Sequence, residues 1–387
     1  MRRLFPSVRL AVLLAAVLFG AAPEGRAGGD PVVVGVVLPM SGDNATFGEE
    51  SWNGIKIAEA EIAKKDPSVT FKLILADEQS KREQVGPATK TLIENNRAAI
   101  VVGSVASSNT MQAAIVCKEA GIPILTPAST NDKLTSEVEK YGEDVFRVCF
   151  QDSFQGTMLG RFATKTLKAK KAVALVDKGQ AYSVGLAAQF EKEFVALGGT
   201  VVTEYYTSAD KDYTTLVQKV GGLKPEVILI SGYYPQAGPM IKLGKDAWKG
   251  VPVIGGDGLD SPDLLPLAGE TDIKVYFTSH FVASDTDPLV QGFVTKYQEA
   301  YAGADPGAMA ALGYDAMYAV YEAAKKAMAA NGGATPTGKQ LAAALRGLEF
   351  TGVTGKIVIG PDRTPRKAVV IVQAAGNFQF VEKILPE

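Results

Sequence analysis

Residues 98–130 read AAIVVGSVASSNTMQAAIVCKEAGIPILTPAST, and this stretch decides the fold. An apolar run at 98–102 is followed by an amphipathic segment at 109–120 and by a second apolar run at 122–125. Short continuous apolar runs predict strands that are buried on both faces, and the segment between them predicts a helix that ends at Gly121. The stretch therefore predicts a strand–helix–strand unit of a parallel sheet.

The same alternation extends over most of the chain on both sides of this stretch. Strands are predicted at 32–38, 71–76, 98–102, 122–125, 145–150, 171–176, 200–206, 226–230, 251–254 and 274–278. Helices are predicted at 47–64, 83–95, 109–120, 155–168, 182–197, 213–220, 236–248, 288–301, 308–330 and 338–345. Hairpin-like strands at 355–359, 368–372 and 378–381 close the chain. The pattern predicts an α/β protein with two doubly wound parallel-sheet lobes.

No linker rich in Pro, Gly and Ser separates the two halves of the chain. We instead interpret the strand-like stretches 145–150, 274–281 and 350–356 as three parallel crossings between the lobes. Such a hinge lets two lobes close on a ligand while few residues change their backbone angles. The crevice at the carboxyl ends of the strands is the expected binding location.

The first residues have the features of a secretory signal peptide. Arg2 and Arg3 precede an apolar run at 10–20, and Gly25-Arg26-Ala27 is the predicted cleavage site. No Cys follows the run directly, so a lipid anchor is not expected, and no later segment is predicted to span a membrane. The mature protein is therefore predicted to be exported to the periplasm.

The composition gives no indication of a nucleic-acid partner, and the two cysteines leave two alternatives open. The chain has 47% hydrophobic and 21% charged residues with a net charge of −2, which gives no basic excess for nucleic acid. Export permits a disulfide between Cys117 and Cys149, and the alternative is that both are buried thiols.

Hydroxyl side chains follow two consecutive strands of the first predicted lobe. Ser107 and Ser108 precede the helix at 109–120, and residues 126–130 (Thr-Pro-Ala-Ser-Thr) follow the next strand. A helix N-terminus carries unpaired N–H groups and partial positive charge, so it favours an anion such as a carboxylate. The alternative is that the serines only cap the helix.

The second predicted lobe offers the complementary chemistry. Tyr182, Tyr233 and Asp257 fall just beyond three of its strands, and Asp257 stands in the glycine loop 255–258. An Asp in such a loop is often a turn residue, but in a cleft lined by tyrosines it would accept from an ammonium group. Donors for a carboxylate on one lobe and an acceptor for an amine on the other predict an α-amino acid ligand.

The sequence has few features of a catalytic site. The single histidine, His280, is expected to be structural, and no G-x-S-x-G motif occurs. Residues 333–340 resemble a phosphate-binding loop but have Gln340 where a Ser or Thr is needed. Asp260 and Asp263 are expected to be ordinary surface acids. We therefore expect a binding protein without metal or cofactor.

Several stretches resemble the type I periplasmic substrate-binding proteins of branched-chain amino acid ABC transporters, and the resemblance covers essentially the whole mature chain. They lie at 34–48, 121–130, 146–152 and 232–235. The resemblance implies that Ser107, the backbone of Ala128, and Thr130 hold the ligand carboxylate.

The same resemblance assigns the second lobe's residues to the other side of the ligand. It implies that Asp257 meets the ammonium and that Tyr182 and Tyr233 line the cleft. Phe47 stands in the pocket wall where many members have Tyr, and Asp257 stands where some members have Glu.

The resemblance also implies an organisation and a partner. The N-terminal lobe would comprise 28–147 and 281–354, and the C-terminal lobe 148–280 and 355–387. The protein would be a monomer that delivers an amino acid, branched-chain or otherwise aliphatic, to a membrane permease. The alternatives are a binder of an amide, urea or aromatic acid with the same fold, a ligand-sensing protein and, more remotely, an exported enzyme.

Overall fold

Strands and covering helices alternate along the computed structural model, which describes residues 30–385. The predicted signal peptide, residues 1–27, lies outside the described residues. Within the described part of the chain, no helix has the length and apolar character needed to cross a membrane.

Five parallel strands form the first sheet, in the order β2-β1-β3-β4-β5. They are β1 (Val32–Leu38), β2 (Phe71–Asp77), β3 (Ile100–Gly103), β4 (Ile124–Thr126) and β5 (Val145–Arg147). In the register, Val34 lies between Leu73 and Ile100. The strands β3, β4 and β5 are buried along their whole length because helices cover both faces of the sheet.

Five helices lie between and after these strands. They are α1 (Ala45–Lys65), α2 (Arg82–Glu94), α3 (Ser107–Ala120), α4 (Lys133–Ser136) and α5 (Val138–Tyr141). The predicted strand–helix–strand unit is thus β3-α3-β4, and α3 ends at Gly121 with a φ of 67°, a left-handed conformation that glycine adopts readily.

Nine further strands follow β5 in the chain. They are β6 (Lys171–Asp177), β7 (Thr200–Tyr206), β8 (Val227–Ser231), β9 (Val253–Gly255), β10 (Val275–Ser279), β11 (Glu349–Gly352), β12 (Gly355–Val358), β13 (Val369–Ala375) and β14 (Asn377–Ile384). The second sheet has the order β14-β13-β10-β9-β8-β6-β7. Its strands are parallel from β7 to β10, and β13 and β14 extend it in antiparallel fashion. Parallel strands between helices confirm the α/β prediction, and the antiparallel edge corresponds to the predicted hairpin-like strands at 368–372 and 378–381.

After β5, the described residues also form a π-helical turn at Phe162–Thr166, a 3-10 turn at Asp257–Leu259 and eight α-helices. The α-helices are α6 (Asp152–Arg161), α7 (Ala181–Ala196), α8 (Thr214–Gly222), α9 (Tyr234–Leu243), α10 (Leu264–Ala268), α11 (Pro288–Ala300), α12 (Ala308–Ala330) and α13 (Gly338–Leu345). We call the first sheet with α1–α5 and α11–α13 the first lobe, and the second sheet with α6–α10 the second lobe.

After β10 the chain returns to the first lobe, where α12 packs closely on α1. A Cβ atom on Gly54 would lie 1.8 Å from the carbonyl oxygen of Ala310, and one on Gly313 would lie 2.2 Å from that of Ser51. Only glycine permits such a close approach of the two helix backbones.

The connections between the lobes lie side by side. The ring of His280, which follows β10, stacks on Phe150, which follows β5, with 3.6 Å between ring centres. Lys367, which precedes β13, donates to the carbonyl oxygen of Val148 over 3.0 Å. Residues 350–356 instead form most of the β11–β12 hairpin, which reverses at Gly355 with a φ of 101°. The chain therefore reaches the second sheet through residues 364–368, after this hairpin.

Cys117 and Cys149 are free and buried, which agrees with the alternative of two buried thiols and not with a disulfide. The cause is the sheet between them: Cys117 on α3 belongs to a separate apolar cluster with Val101 and Ile124, whereas Cys149 belongs to the main core. Burial raises the pKa of the Cys149 thiol to about 12, which keeps it protonated and unreactive.

Candidate ligand-binding site

All seven residues predicted to contact a ligand lie beyond the carboxyl ends of strands, in the crevice between the two lobes. Their exposed fractions range from 1% to 7%. The first lobe contributes Phe47, Ser107, Ala128 and Thr130, and the second lobe contributes Tyr182, Tyr233 and Asp257. The chain thus brings residues that are up to 210 positions apart into one buried crevice, since Phe47 and Asp257 are both among them.

The first turn of α3 forms part of the first lobe's side of the crevice. The capping residue is Ala106, so Ser107 and Ser108 lie inside the helix, and the alternative that they only cap it is wrong. Ser107 Oγ accepts from the backbone N–H of Asn131 over 3.3 Å. Ser108 Oγ accepts from the N–H of Ala181 in the other lobe over 2.9 Å. These hydroxyls connect neighbouring loops and lobes.

The loop after β4 adds a hydroxyl that is poorly paired. Thr130 Oγ1 is buried and has no hydrogen-bond partner of good geometry among the described residues. It nevertheless lies close enough to Asp152 for its hydroxyl to oppose the rise that burial causes in the pKa of that acid, so Asp152 is its neighbour in the crevice. The loop itself is held by Thr126, whose Oγ1 accepts from Ser129 N over 3.0 Å. The first turn of α3 contains no acidic residue that would occupy its positive end.

Buried carboxylates form the second lobe's side of the crevice. Asp257 Oδ1 accepts from Gln155 Nε2, and Asp257 Oδ2 bonds His280 Nε2, each over 3.1 Å. Asp152 shares the same glutamine, accepting from its Nε2 over 2.9 Å. Burial raises the pKa of Asp152 well above its usual range, and the charge of Asp257 adds to the rise. Burial lowers the pKa of His280, although its bond to Asp257 opposes the shift.

Two stacked tyrosines lie beside these acids. The rings of Tyr182 and Tyr233 are 5.2 Å apart, and Tyr182 accepts from the N–H of Gly258 over 2.9 Å. Burial first, and then the charges of Asp257 and Asp152, raise the pKa of both phenols well above their usual range. Both tyrosines therefore stay neutral and present an aromatic wall with polar tips.

The two lobes touch each other around the crevice. Phe47 of the first lobe lies 4.9 Å from the ring of Tyr234 and 6.3 Å from that of Tyr233, measured between ring centres. The Tyr234 hydroxyl donates to the carbonyl oxygen of Asp43 over 3.0 Å. Arg82 donates across the lobes to the carbonyl oxygen of Gly179 over 2.9 Å. The structure is therefore a closed form.

Sequence reasoning missed part of this network. Asp152 was noticed only as the end of the 146–152 stretch, Gln155 gave no local signal, and Asn131, which donates to Asp152 over 3.3 Å, was not predicted. His280 is buried on a connection between lobes, as expected, but it also bonds Asp257. Asp260 is only 3% exposed, so its prediction as a surface acid is wrong.

The arrangement suits binding rather than bond cleavage. One side offers neutral donors and a helix N-terminus, and the other offers carboxylates with an aromatic wall. Within the described residues, no group of three or more His, Cys, Asp and Glu side chains is placed to hold a metal ion. Fold and site together define a two-lobed solute-binding protein.

The comparison with known families agrees with this class. The chain belongs to the periplasmic binding protein family, whose profile matches residues 31–379. Members of this family are binding proteins of transporters, not enzymes.

Individual relatives cover much of the chain. An amino acid binding protein of Pseudomonas aeruginosa is 34% identical over 62% of this chain and 63% of its own length. A Leu/Ile/Val-binding protein, BraC3, of Rhizobium johnstonii is 30% identical over 85% of this chain and 87% of its own. The crystal structure of the leucine binding protein LivK from Thermotoga maritima superposes with a TM-score of 0.84 at 32% identity, covering 92% of this chain and 99% of that one.

Proposed function

We propose that this chain is the extracytoplasmic solute-binding component of an ABC transporter and that it captures an aliphatic amino acid between its lobes. The observation that carries the proposal is the opposite chemistry of the two sides of one buried crevice. A zwitterion with a carboxylate and an ammonium on one carbon atom matches that chemistry. The relatives named for leucine, isoleucine and valine support a branched-chain side chain.

Each end of the ligand has its own set of residues in this proposal. Ser107, the backbone of Ala128, and Thr130 hold the carboxylate at the N-terminus of α3. Asp257 accepts from the ammonium. Charge-assisted hydrogen bonds of this kind contribute about 1.5–3 kcal/mol each. Four or five of them, less the costs of ordering and desolvation, support micromolar or tighter affinity, about −8 kcal/mol or better.

The aromatic residues hold the aliphatic part of the ligand. Phe47, Tyr182 and Tyr233 form one apolar surface that spans both lobes. Phe47 contributes a ring without a hydroxyl group, which favours an apolar side chain over a polar one at that position.

Binding is coupled to closure of the lobes. Both sets of contacts form only in the closed form, so a bound amino acid shifts the population towards it. The hinge consists of the three connections that follow β5, follow β10 and precede β13, with residues 364–368 as the third. The closed monomer then delivers its ligand to a membrane permease.

A binder of an amide, urea or aromatic acid is the alternative with the same fold. An aromatic acid lacks the ammonium, so Asp257 would face it without a cationic partner. Asp257 therefore favours the amino acid.

A thermal-shift panel tests the proposal on the mature protein. Isoleucine, leucine, valine, alanine, acetamide, urea and benzoate are compared at equal concentration. A ligand that binds the native state stabilises it by about 2.7 kcal/mol at a hundredfold excess over Kd. We expect the branched-chain amino acids to raise Tm most. If only benzoate or the amides raise it, the amino acid assignment is wrong.

Export has its own test. We expect the protein recovered from the periplasm to begin at Gly28, as determined by mass spectrometry. Recovery of the full-length chain from the cytoplasm alone would contradict the predicted signal peptide.

A further inference from the structure

Glu78 lies buried directly behind the carboxylate-binding side of the crevice. It follows β2 immediately and has no exposed surface. Its Oε1 atom accepts from Ser104 Oγ over 2.9 Å and from Asn109 Nδ2 over 2.7 Å. Ser104 precedes α3 and Asn109 belongs to its first turn. These two bonds therefore fix the chain on both sides of Ser107.

The carbonyl oxygen of Ser104 extends this network to the second carboxylate-binding loop. It accepts from the hydroxyls of Thr110, Thr126 and Ser129 over 3.0, 2.6 and 3.3 Å. Thr126 and Ser129 flank Ala128. A single chain of hydrogen bonds therefore runs from Glu78 through Ser104 to both loops that face the ligand carboxylate.

We propose that Glu78 is the positioning residue that aligns both carboxylate-binding loops and sets the affinity for the ligand carboxylate. The inference rests on the proposed function, because it assigns a role at the same site. Glu78 itself touches no ligand and acts only through Ser104 and Asn109.

The protonation of Glu78 makes its role testable. Its Oε2 atom is buried without a partner, an arrangement that favours the neutral acid. Burial raises the pKa of Glu78 to about 7, while the bonds from Asn109 and Ser104 lower it and the neighbouring charge of Asp77 raises it. A neutral Glu78 leaves the positive end of α3 free for the ligand, whereas an ionised Glu78 competes with it.

The sign of the pH dependence follows from linkage. The bound carboxylate disfavours a second negative charge nearby, so it raises the pKa of Glu78 further above its ordinary value of 4.5. Ligand binding near pH 7 is therefore accompanied by proton uptake at Glu78, and the affinity for the ligand falls as the pH rises through this value. Below about pH 6, Glu78 is neutral in both the free protein and the complex, so its ionisation has no effect on the affinity.

Calorimetric titrations of wild type, Glu78→Gln and Glu78→Ala test the proposal between about pH 5.5 and 8.5. Isoleucine and benzoate are the probes, since both carry a carboxylate. Gln keeps an acceptor for Ser104 and Asn109 but cannot ionise. Other groups also titrate, so the ratio of the wild-type Kd to the Glu78→Gln Kd is compared across pH. Glu83→Gln, at an exposed position on α2, is the matched control.

We expect Glu78→Gln to match wild type at about pH 5.5 and to bind roughly threefold or more tightly than wild type at about pH 8.5. Glu78→Ala should bind at least about fivefold more weakly than Glu78→Gln at every pH, since Ser104 and Asn109 lose their acceptor. Circular dichroism melts verify that each variant is folded. A constant Kd ratio across pH, or equal affinities of the Ala and Gln variants, would overturn the proposal.

The two probes separate this inference from the proposed function. If benzoate binds and isoleucine does not, the amino acid assignment fails while the Glu78 test proceeds with benzoate. If folded wild-type protein binds neither carboxylate, both proposals are wrong.

Discussion

The two sides of the crevice differ in the groups that they offer to a charged ligand. In our proposal, the first lobe faces the ligand with neutral groups, namely the Thr130 hydroxyl and the backbone at the start of α3. The second lobe faces it with Asp257, a buried carboxylate that is supported by Gln155 and His280. A poorly paired buried hydroxyl costs little, but an unpaired buried charge is far more costly. The second side therefore needs a built-in network, and the first does not.

The difference predicts unequal costs of mutation. Loss of a hydrogen bond from a hydroxyl to the ligand carboxylate costs about 1.5–3 kcal/mol, whereas loss of one partner of a buried charge pair costs roughly 3–5 kcal/mol. Substitutions on the two sides therefore test whether the assignment of the two ends of the ligand is right.

Asp257→Ala should have the largest effect. It removes the acceptor for the ammonium and leaves His280 Nε2 without its partner, while Gln155 keeps its bond to Asp152. We expect amino acid binding to weaken by roughly 150-fold or more, the equivalent of about 3 kcal/mol, as measured by calorimetry. Asp246→Ala, at an exposed acid of the same lobe, is the control and should bind like wild type. Unchanged affinity in Asp257→Ala would remove this residue from the site.

Thr130→Val should have an intermediate effect that appears only with ligand. The Thr130 hydroxyl makes no hydrogen bond of good geometry and only a weak contact with Asp152, so its loss should change the Tm of the free protein little. Affinity should fall about tenfold or more. The control is Thr89→Val, because Thr89 Oγ1 is buried and donates to the Val85 carbonyl over 2.8 Å. That variant should lose stability and keep its affinity; the reverse pattern would show that Thr130 is merely structural.

The smallest effect concerns pH and the contact between the lobes. Burial, followed by the charge of Asp260, raises the pKa of Glu50 well above its usual value, and burial raises that of Asp260 to about 7. Glu50 is on α1 of the first lobe and Asp260 follows β9 of the second, so closure brings the two acids together. The closed form therefore binds protons more strongly, and closure is favoured below about pH 7 and weakened above it.

Glu50→Gln should reduce this dependence. We expect the ligand affinity of wild type to fall a few-fold more than that of Glu50→Gln between about pH 6 and 8.5. The neighbouring Glu49 is exposed, so Glu49→Gln is the matched control and should follow wild type. Identical pH profiles for Glu50→Gln and wild type would show that the two acids do not influence closure.

The fold was largely predictable because its signals are local. Continuous apolar runs such as β3 and β4 are buried on both faces, and α3 ends at Gly121 as its sequence indicates. The β11–β12 hairpin was not predictable as such. It depends on pairing between residues 349–358 and on a reversal at Gly355, and neither appears in the apolar pattern.

Candidate site residues could be identified from the sequence only where they directly follow strands. Position alone led to Ser107, Thr130, Tyr233 and Asp257. The supporting network of Asp257 was not found because Gln155 is 102 residues away along the chain. Burial of an acid such as Asp260 also depends on how the lobes meet, which no local pattern encodes. The cysteines show the same limit, since a sheet separates them.

The most direct test compares isoleucine with 3-methylpentanoate, the same molecule without its amino group. Calorimetry measures the binding of both to wild type and to Asp257→Ala. If Asp257 binds the ammonium, wild type should bind 3-methylpentanoate at least about tenfold more weakly than isoleucine. Asp257→Ala should bind the two compounds with nearly equal affinity. If 3-methylpentanoate binds wild type as tightly as isoleucine, the assignment of the two sides to the two ends of an amino acid is contradicted.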